Sequence, residues 1–341
     1  MQFIFIMKKA LLDKEFWFLY SLFLIPAIAY LNPMIGAAGG LLHADVISKF
    51  CLAFIFFMSG LSFSKLEFVS AFKNVKLTIT IQGLCFIAIP LLMFLLSQTL
   101  FKWSGMNPSF LLGTLILASV PITTTSCVIF TAMARGDTVA SLFNATLSNF
   151  IGVFTAPITI GFFLGLSAQT VTFNPLPIIE QLFLIIILPT LAGQLANYFF
   201  RQWLPLNTEV FFANVSKVLL LFMIYAAFCD SFVAIGHLNS PWAQVILLIC
   251  WMFFVHLLFV SLSMLLGRLF RFADPQRKSL IFTAPQKTIV VGLPLNLAIL
   301  QFAKFPPGEI QPSFLLLPLL VYNNIQWVVS ALLVRYLKPK E

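Results

Sequence analysis

Ten runs of about 20 apolar residues follow one another along this chain and leave little sequence for anything else. A transmembrane helix needs about 20 such residues, whereas a strand of a membrane barrel shows a weaker alternation over about ten. Only 9% of the residues are charged, and a soluble domain is about one quarter charged. The sequence therefore predicts an all-α polytopic membrane protein. The runs lie near 16–33, 46–63, 77–100, 109–134, 139–166, 176–199, 212–235, 242–267, 279–303 and 312–336.

Lysine and arginine are distributed unevenly between the two sides that ten alternating spans define. Of the 20 such residues, 15 fall in the termini and the loops on one side, and two, Lys217 and Lys287, lie within spans. The remaining three, Lys49, Lys102 and Lys304, fall on the other side. Positively charged loops stay in the cytoplasm, so we expect both termini there. Membrane insertion also accounts for the net charge of +9, and we expect no nucleic-acid partner.

The fourth and ninth runs contain prolines and polar residues near their middle. Pro121 precedes the run TTTS in the fourth, and Pro285, Lys287 and Pro294 lie in the ninth. These runs are five spans apart, an odd number, so the second half of the chain would enter the membrane upside down. Polar residues also recur in register in the fifth and tenth runs. The pattern predicts one membrane domain, 1–341, built from inverted repeats 16–166 and 176–337, an architecture typical of secondary transporters.

A helix that is broken inside the membrane frees backbone N–H and C=O groups, which must be buried in protein or line a wet cavity. Such helix ends carry partial charges that suit an ion or an anionic substrate. The three histidines, His43, His237 and His256, are scattered, and the sequence contains no catalytic motif that would organise them. We therefore expect a carrier and not an enzyme. A channel-like or regulatory membrane protein on the same fold is the alternative.

Two segments carry a family resemblance. The stretch ASVPITTTSCVIFTAMARGDTVASLFNATLSN (118–149) resembles the bile acid:sodium symporter superfamily, and TAPQKTIVVGLPL (283–295) is similar to its second crossing motif. The Gln-Lys-Thr form resembles a branch with many bacterial members, which implies a bacterial inner membrane. The resemblance implies that the fourth and ninth helices cross inside a core domain and that substrate binds between this core and a panel domain. The core would comprise 77–166 and 242–337, and the panel 16–63 and 176–235.

The resemblance also implies two sodium sites behind the crossing, and no other cofactor. The first would use Ser126, Cys127, Ser141 and the Asn144–Ala145 turn, and the second Gln82 and Gln286. Sodium-coupled relatives carry a glutamate where this chain has Gln286, and a cysteine is a poor ligand for a hard cation. The candidate metal ligands are Ser126, Ser141, Asn144, Gln82 and Gln286. The wider set of candidate substrate- or ion-binding residues adds Thr124, Thr125, Lys287, Thr288, Asn323 and Asn324.

Lys287 is an argument against extending the sodium coupling of the relatives to this chain. A fixed cation about 5 Å from sodium would cost about 3 kcal/mol at an effective dielectric constant of about 20, roughly a hundredfold in affinity. In one interpretation the ammonium takes a sodium-like position among carbonyls and hydroxyls and couples transport to protons. In a second it faces the cavity and neutralises an organic anion, for which the apolar composition favours an amphipathic one. In a third it snorkels toward water.

Other unusual residues within the spans are interpreted as structural. Pro90 is expected to be a tolerated kink, and the five cysteines to be small packing residues. His256 is interpreted as a hydrogen-bonded core histidine in preference to a proton relay. The polar run of Tyr322, Asn323, Asn324 and Gln326 should face the crossing. The expected partners are the lipid bilayer and a small organic anion, and the sequence leaves the oligomeric state open.

Overall fold

A computed structural model describes residues 17–61, 74–99, 105–166, 173–200, 208–235, 241–305, 310–311 and 314–337. The regular elements of this part of the chain are helical, which confirms the all-α class. The long helices in chain order are α1 (Trp17–Leu31), α2 (Ala44–Leu61), α3 (Val75–Thr99), α4 (Pro108–Ser119), α5 (Thr124–Met133), α6 (Thr138–Leu166), α7 (Pro175–Phe200), α8 (Thr208–Ile235), α9 (Pro241–Leu269), α10 (Asp274–Thr283), α11 (Ile289–Phe302) and α12 (Leu317–Leu337).

Several of these helices have the length and apolar character of membrane spans. Among the described residues, six qualify alone: α3, α6, α7, α8, α9 and α12. Helices α4 and α5 qualify together as a seventh span that is bent by 65°. Shorter apolar helices lie within α1, α2 and α11, at the first, second and ninth predicted spans. The protein is therefore an integral membrane protein, and the count of ten spans stays a prediction.

The helices pack in two groups. Helices α1, α2, α7 and α8 pack mainly on one another, with α2 against α7 and α8 against both α1 and α2. Helices α3 to α6 and α9 to α12 pack around the two interrupted segments. Helix α7 joins the groups through contacts with α6 and α11. Both interruptions consequently lie within the second group.

Proline chemistry explains where the fourth run is interrupted. Helix α4 ends at Ser119, because Pro121 has no N–H to continue the backbone hydrogen bonds. The next amide, Ile122 N–H, donates to Ser148 Oγ at 3.0 Å, so it is not available to the carbonyl of Ala118. Helix α5 then begins at Thr124. The carbonyls at the end of α4 are left without helical partners.

The ninth run is interrupted in the same manner. Helix α10 ends at Thr283, two residues before Pro285, and α11 begins at Ile289. The hydroxyl of Thr288 accepts the Val290 N–H at 3.2 Å and so caps α11. Both interruptions therefore lie at the prolines that the sequence marked.

Helix α3 contains a π-helical turn over Leu84–Ala88. In this turn the Ile89 N–H donates to Leu84 O, one residue further back than in an α-helix. The carbonyl of Cys85 would then need the N–H of residue 90, and Pro90 has none. The Cys85 carbonyl is therefore free to accept a hydrogen bond from outside its own helix.

Helices α2 and α7 approach one another closely because glycines face the contact. A Cβ atom at Gly60 would collide with the carbonyl oxygen of Thr190, and one at Gly193 would collide with that of Phe57. Small residues at a helix crossing allow this backbone-to-backbone packing inside a membrane. The contact makes α2 and α7 a closely packed pair within the first group.

Candidate functional site

The two interrupted segments meet at the centre of the second helix group. The Thr288 N–H, at the end of the break between α10 and α11, donates to Pro121 O at 2.9 Å. The side chain of Lys287 crosses to the end of α4, where its Nζ donates to Ala118 O and Val120 O, each at 2.8 Å. The breaks are thus in direct hydrogen-bonded contact.

The ammonium of Lys287 lies in a cage of backbone carbonyls. Its third donor reaches Cys85 O at 3.2 Å, with Cys85 Sγ at 3.4 Å. The carbonyls of Ala118 and Val120 belong to the C-terminal end of α4, where the helix dipole is negative and favours a cation. Each of the three carbonyls is available because a proline or a helix end removed its usual partner. Lys287 itself is 0% exposed.

The geometry of this cage indicates the protonation state of Lys287. Carbonyl oxygens only accept hydrogen bonds, so three carbonyls require three N–H donors from one nitrogen. A neutral amine has two hydrogens and would leave one buried carbonyl unpaired. The three contacts therefore match the three donors of a charged ammonium. The snorkelling interpretation does not fit, because the nitrogen is enclosed and faces carbonyls, not water.

Helix α12 satisfies the backbone around Lys287. Gln326 accepts the Lys287 N–H at 2.9 Å and donates to the Lys287 carbonyl at 3.1 Å, so its amide pairs with the backbone in both directions. Tyr322 Oη donates to Pro285 O at 2.7 Å. These contacts hold an irregular backbone segment that would be costly to bury unpaired.

The predicted sodium ligands fall into three separate hydrogen-bonded groups. Ser126 donates to Gln286 Oε1 at 2.7 Å, and Gln286 Nε2 donates to Ser330 at 2.6 Å. Gln82 Nε2 donates to Asn144, at 2.9 Å to its carbonyl and 3.2 Å to its side-chain oxygen. The third group is the Ser141 hydroxyl with those of Thr131, Ser279 and Thr283, at 2.8–2.9 Å.

This arrangement corrects one detail of the sodium-like interpretation of Lys287. We expected carbonyls and hydroxyls around the ammonium, and all three of its oxygen partners are backbone carbonyls. The polar side chains of the three groups bond to one another or to backbone carbonyls instead, and Gln82 Oε1 is buried without a partner among the described residues. Asn144, for example, donates to Ala140 O at 2.9 Å within a continuous α6.

The other candidate residues lie around the same crossing. Thr124 accepts from Asn149 Nδ2 at 3.5 Å, and Thr125 is exposed on the first turn of α5. The N-cap residue of α5, Thr123, makes no side-chain capping bond. On α12, Asn323 is buried and accepts from Gln326 at 3.2 Å, whereas Asn324 is half-buried.

Sequence comparisons fix the family. The model of the SBF-like CPA transporter family (DUF4137) matches residues 16–339. The chain belongs to the SBF-like CPA transporter family. It is 30% identical over 332 residues to sodium/bile acid cotransporter 7 of Danio rerio, covering 95% of this chain and 94% of the relative. It is also 25% identical over 296 residues to an uncharacterized protein of Pseudomonas aeruginosa, covering 86% of this chain and 85% of that protein.

Family membership confirms the resemblance and the assignment to transporters, not enzymes. For this SBF-like CPA transporter, the sequence predicted the two breaks and an ammonium among carbonyls of the crossing, but not which carbonyls hold it. Cys85, interpreted as packing, contributes both its carbonyl and its sulfur to the cage. Pro90, interpreted as a tolerated kink, frees that carbonyl. The signal that could have identified this carbonyl was Pro90, five residues after Cys85, in a span that lies next to Lys287.

Charged residues at the start of α10 lie before the apolar part of the ninth run. Asp274 forms ion pairs with Arg277 at 2.7 Å and with Lys278 at 2.6 Å. The hydrogen bond from Lys278 is the main cause that holds the pKa of Asp274 below its usual value, with Arg277 adding to it. The ion pairs therefore stabilise α10 above the ordinary pKa of a carboxyl group and lose this effect as the pH falls through the lowered value.

Proposed function

We propose that this transporter is a secondary active carrier of an organic anion in which the ammonium of Lys287 takes the place of a coupling sodium ion. The observation that carries the proposal is the cage of three carbonyls, which resembles a site for a small cation and is filled by a tethered one. A lysine in a transporter core is a functional residue by default. Here it also supplies the cation that the freed carbonyls of the first break and of α3 require.

The charge of the site supports an anionic substrate. The Lys287 ammonium is bonded to neutral carbonyls, so the crossing keeps a net positive charge. The N-terminal turn of α5 adds partial positive charge. Thr125 in this turn is exposed, so the helix end lies at the surface of the helix group. Ile129, one turn later, is 38% exposed and apolar. This combination favours an amphipathic organic anion, and the Danio rerio relative is named as a sodium/bile acid cotransporter.

The proposed architecture is the ten-span inverted repeat with a core and a panel. It is supported by the two interruptions, by the three shorter apolar helices at predicted spans and by the two packing groups. In this scheme α3 to α6 and α9 to α12 form the core, and α1, α2, α7 and α8 form the panel. The core would move against α7 to expose the crossing alternately on each side of a bacterial inner membrane, with both termini cytoplasmic.

The same geometry argues against sodium coupling at the two sites that the resemblance implied. A sodium ion in the carbonyl cage would have to displace Lys287. One near Gln286 would meet a fixed positive charge on the next residue and no carboxylate among its side-chain hydrogen-bond partners, Ser126 and Ser330. Both effects reduce sodium affinity. We infer that anion binding in this carrier does not require sodium.

Uptake into proteoliposomes tests the proposal. The purified carrier is reconstituted, and uptake of radiolabelled taurocholate, a steroid sulfate and a small monocarboxylate is measured with sodium or choline as the external cation. We expect saturable uptake of an amphipathic anion that is unchanged when choline replaces sodium, and loss of that uptake in Lys287→Met. Uptake that depends on sodium would contradict the tethered-cation proposal, and uptake restricted to the small monocarboxylate would contradict the amphipathic substrate.

A further inference from the structure

A hydrogen-bonded chain links α9 and α12 to the second break. His256 on α9 is 0% exposed, and its Nδ1 lies 2.9 Å from Tyr322 Oη on α12. The same hydroxyl donates to Pro285 O at 2.7 Å, two residues before Lys287. The chain from the imidazole to the carbonyl therefore ends on the segment that carries the tethered ammonium.

This chain fixes the tautomer of His256. A tyrosine hydroxyl has one hydrogen, and here Pro285 O receives it. The contact between Tyr322 and Nδ1 then needs a hydrogen from the imidazole, so Nδ1 is protonated and Nε2 carries a bare lone pair. Within the described part of the chain, Nε2 is buried and has no hydrogen-bond partner. An enclosed acceptor without a donor is unfavourable, and it is the position where an added proton would bind.

The surroundings of His256 contain few other charged groups. Of the helices packed against α9, α12 contributes Tyr322 and carries Arg335 and Tyr336 only in its last turns. Helix α10 carries Asp274, Arg277 and Lys278 within its first five residues, next to the end of α9, whereas His256 lies in the middle of α9. The crossing itself adds Lys287, with Cys85 of α3 beside it.

We propose that His256 Nε2 is the binding site for a proton that drives transport. The inference rests on the proposed function, because a permanently tethered ammonium leaves the carrier without sodium as its coupling ion. The proton adds to the Nε2 lone pair when the core opens to one side of the membrane and leaves from Nε2 on the other side. Protonation creates an imidazolium beside the break and adds a second positive charge to that of Lys287. An organic anion offsets that charge, so proton and anion bind more tightly together than apart.

The first test observes the proton directly and needs no substrate. The full chain is labelled with ¹⁵N-histidine and embedded in nanodiscs, with His237→Gln and His43→Asn so that His256 is the only histidine. Asparagine is chosen at position 43 because that residue has a φ of 43°, which asparagine tolerates. We expect a protonated Nδ1 and an unprotonated Nε2 at high pH, and a protonated Nε2 as the pH falls. An Nε2 that is protonated at every pH, or at none, would overturn the proposal.

The second test measures coupling with a matched variant. In His256→Asn the side-chain amide keeps a donor near the Nδ1 position for Tyr322 and removes Nε2, so a purely structural role would survive. Taurocholate is added to proteoliposomes that contain a trapped pH indicator and have choline as the cation on both sides. We expect internal acidification in the unmodified carrier. Proton binding should tighten taurocholate binding by roughly tenfold, a typical coupling factor for affinities, so an inward proton gradient should raise taurocholate uptake. In His256→Asn we expect normal melting temperature and loss of both effects.

The outcomes separate this inference from the proposed function. Sodium-independent uptake without acidification, unchanged in His256→Asn, would overturn the proton site and leave the tethered cation standing. Uptake that requires sodium would contradict the tethered cation, whatever the histidine does. If taurocholate is not carried at all, the ¹⁵N titration decides the proton site alone.

Discussion

Replacing Lys287 by alanine should destabilise this carrier through the carbonyls that the ammonium now satisfies. Three buried carbonyls lose their donors, and each costs about 1–3 kcal/mol when left unpaired. Before any opposing effect, the substitution would therefore lower the free energy of unfolding by roughly 3–9 kcal/mol. The loss of a desolvated charge acts in the opposite direction. We therefore expect a net decrease in the free energy of unfolding of about 2–5 kcal/mol. The melting temperature should fall by about 3–7 °C.

Sodium should restore part of the stability of Lys287→Ala. Removing the side chain leaves a space lined by the carbonyls of Cys85, Ala118 and Val120, which are suitable ligands for a hard cation. A cation at ten times its dissociation constant would contribute about 1.4 kcal/mol. Lys287→Met fills the same space with an uncharged chain, so it should be destabilised without recovery. Lys287→Glu should respond to sodium more steeply than alanine, because its carboxylate needs a cation partner.

The assay is the melting temperature in detergent across a sodium titration, with choline holding the ionic strength and the pH constant. Lys217→Ala is the control, since Lys217 also lies within a span, is half-buried and belongs to α8, away from the crossing. It should change the melting temperature by little and should give no sodium response. The reasoning is refuted if the unmodified carrier itself gains stability steeply with sodium, or if Lys287→Ala melts at the unmodified temperature.

Three further predictions concern the parts around the cage. Gln326→Leu removes both amide bonds to the Lys287 backbone and should lower the melting temperature by several degrees, whereas Asn324→Leu on the same helix should have a small effect. Gly193→Leu should prevent α2 and α7 from packing and reduce the yield of folded carrier, while Gly165→Leu, where a Cβ meets open space, should be tolerated. Cysteines at Ser167 and Ser240 should react with an impermeant maleimide from outside the cell, and one at Ser70 should react only after permeabilisation. The reverse labelling pattern would refute the inverted orientation.

Much of the fold was predictable because the length of each apolar run can be read directly from the sequence. The fifth run was predicted at 139–166, and α6 spans Thr138–Leu166. The interruptions were predictable for a related reason, since Pro121 and Pro285 remove backbone donors wherever the chain goes. The pairing of these breaks with one another required the family resemblance, because residue types alone do not show which loops meet.

The contents of the site were only partly predictable, because carbonyls carry no residue identity. The ammonium of Lys287 binds the backbone carbonyls of Ala118, Val120 and Cys85. The side chains of these residues gave no indication that their backbone would bind a cation. The polar residues that drew attention, among them Gln82 and Ser141, form separate groups that pack near the crossing. A rule that asks which carbonyl lies five residues before a proline would have identified Cys85, provided that the π-helical turn was also predicted.

Under the proposed function, the charge at the crossing accounts for how the same fold would work with a tethered cation. The resemblance implies that sodium-coupled relatives hold two sodium ions against one glutamate, which leaves a net charge of +1 when the site is loaded. This chain has Gln286 in place of the glutamate and one ammonium, and its net charge is also +1. An anion therefore meets the same charge in both, but here the charge is present before any ion binds. Anion affinity in this carrier should consequently be independent of sodium, and any energy for uphill transport must enter through a group other than Lys287.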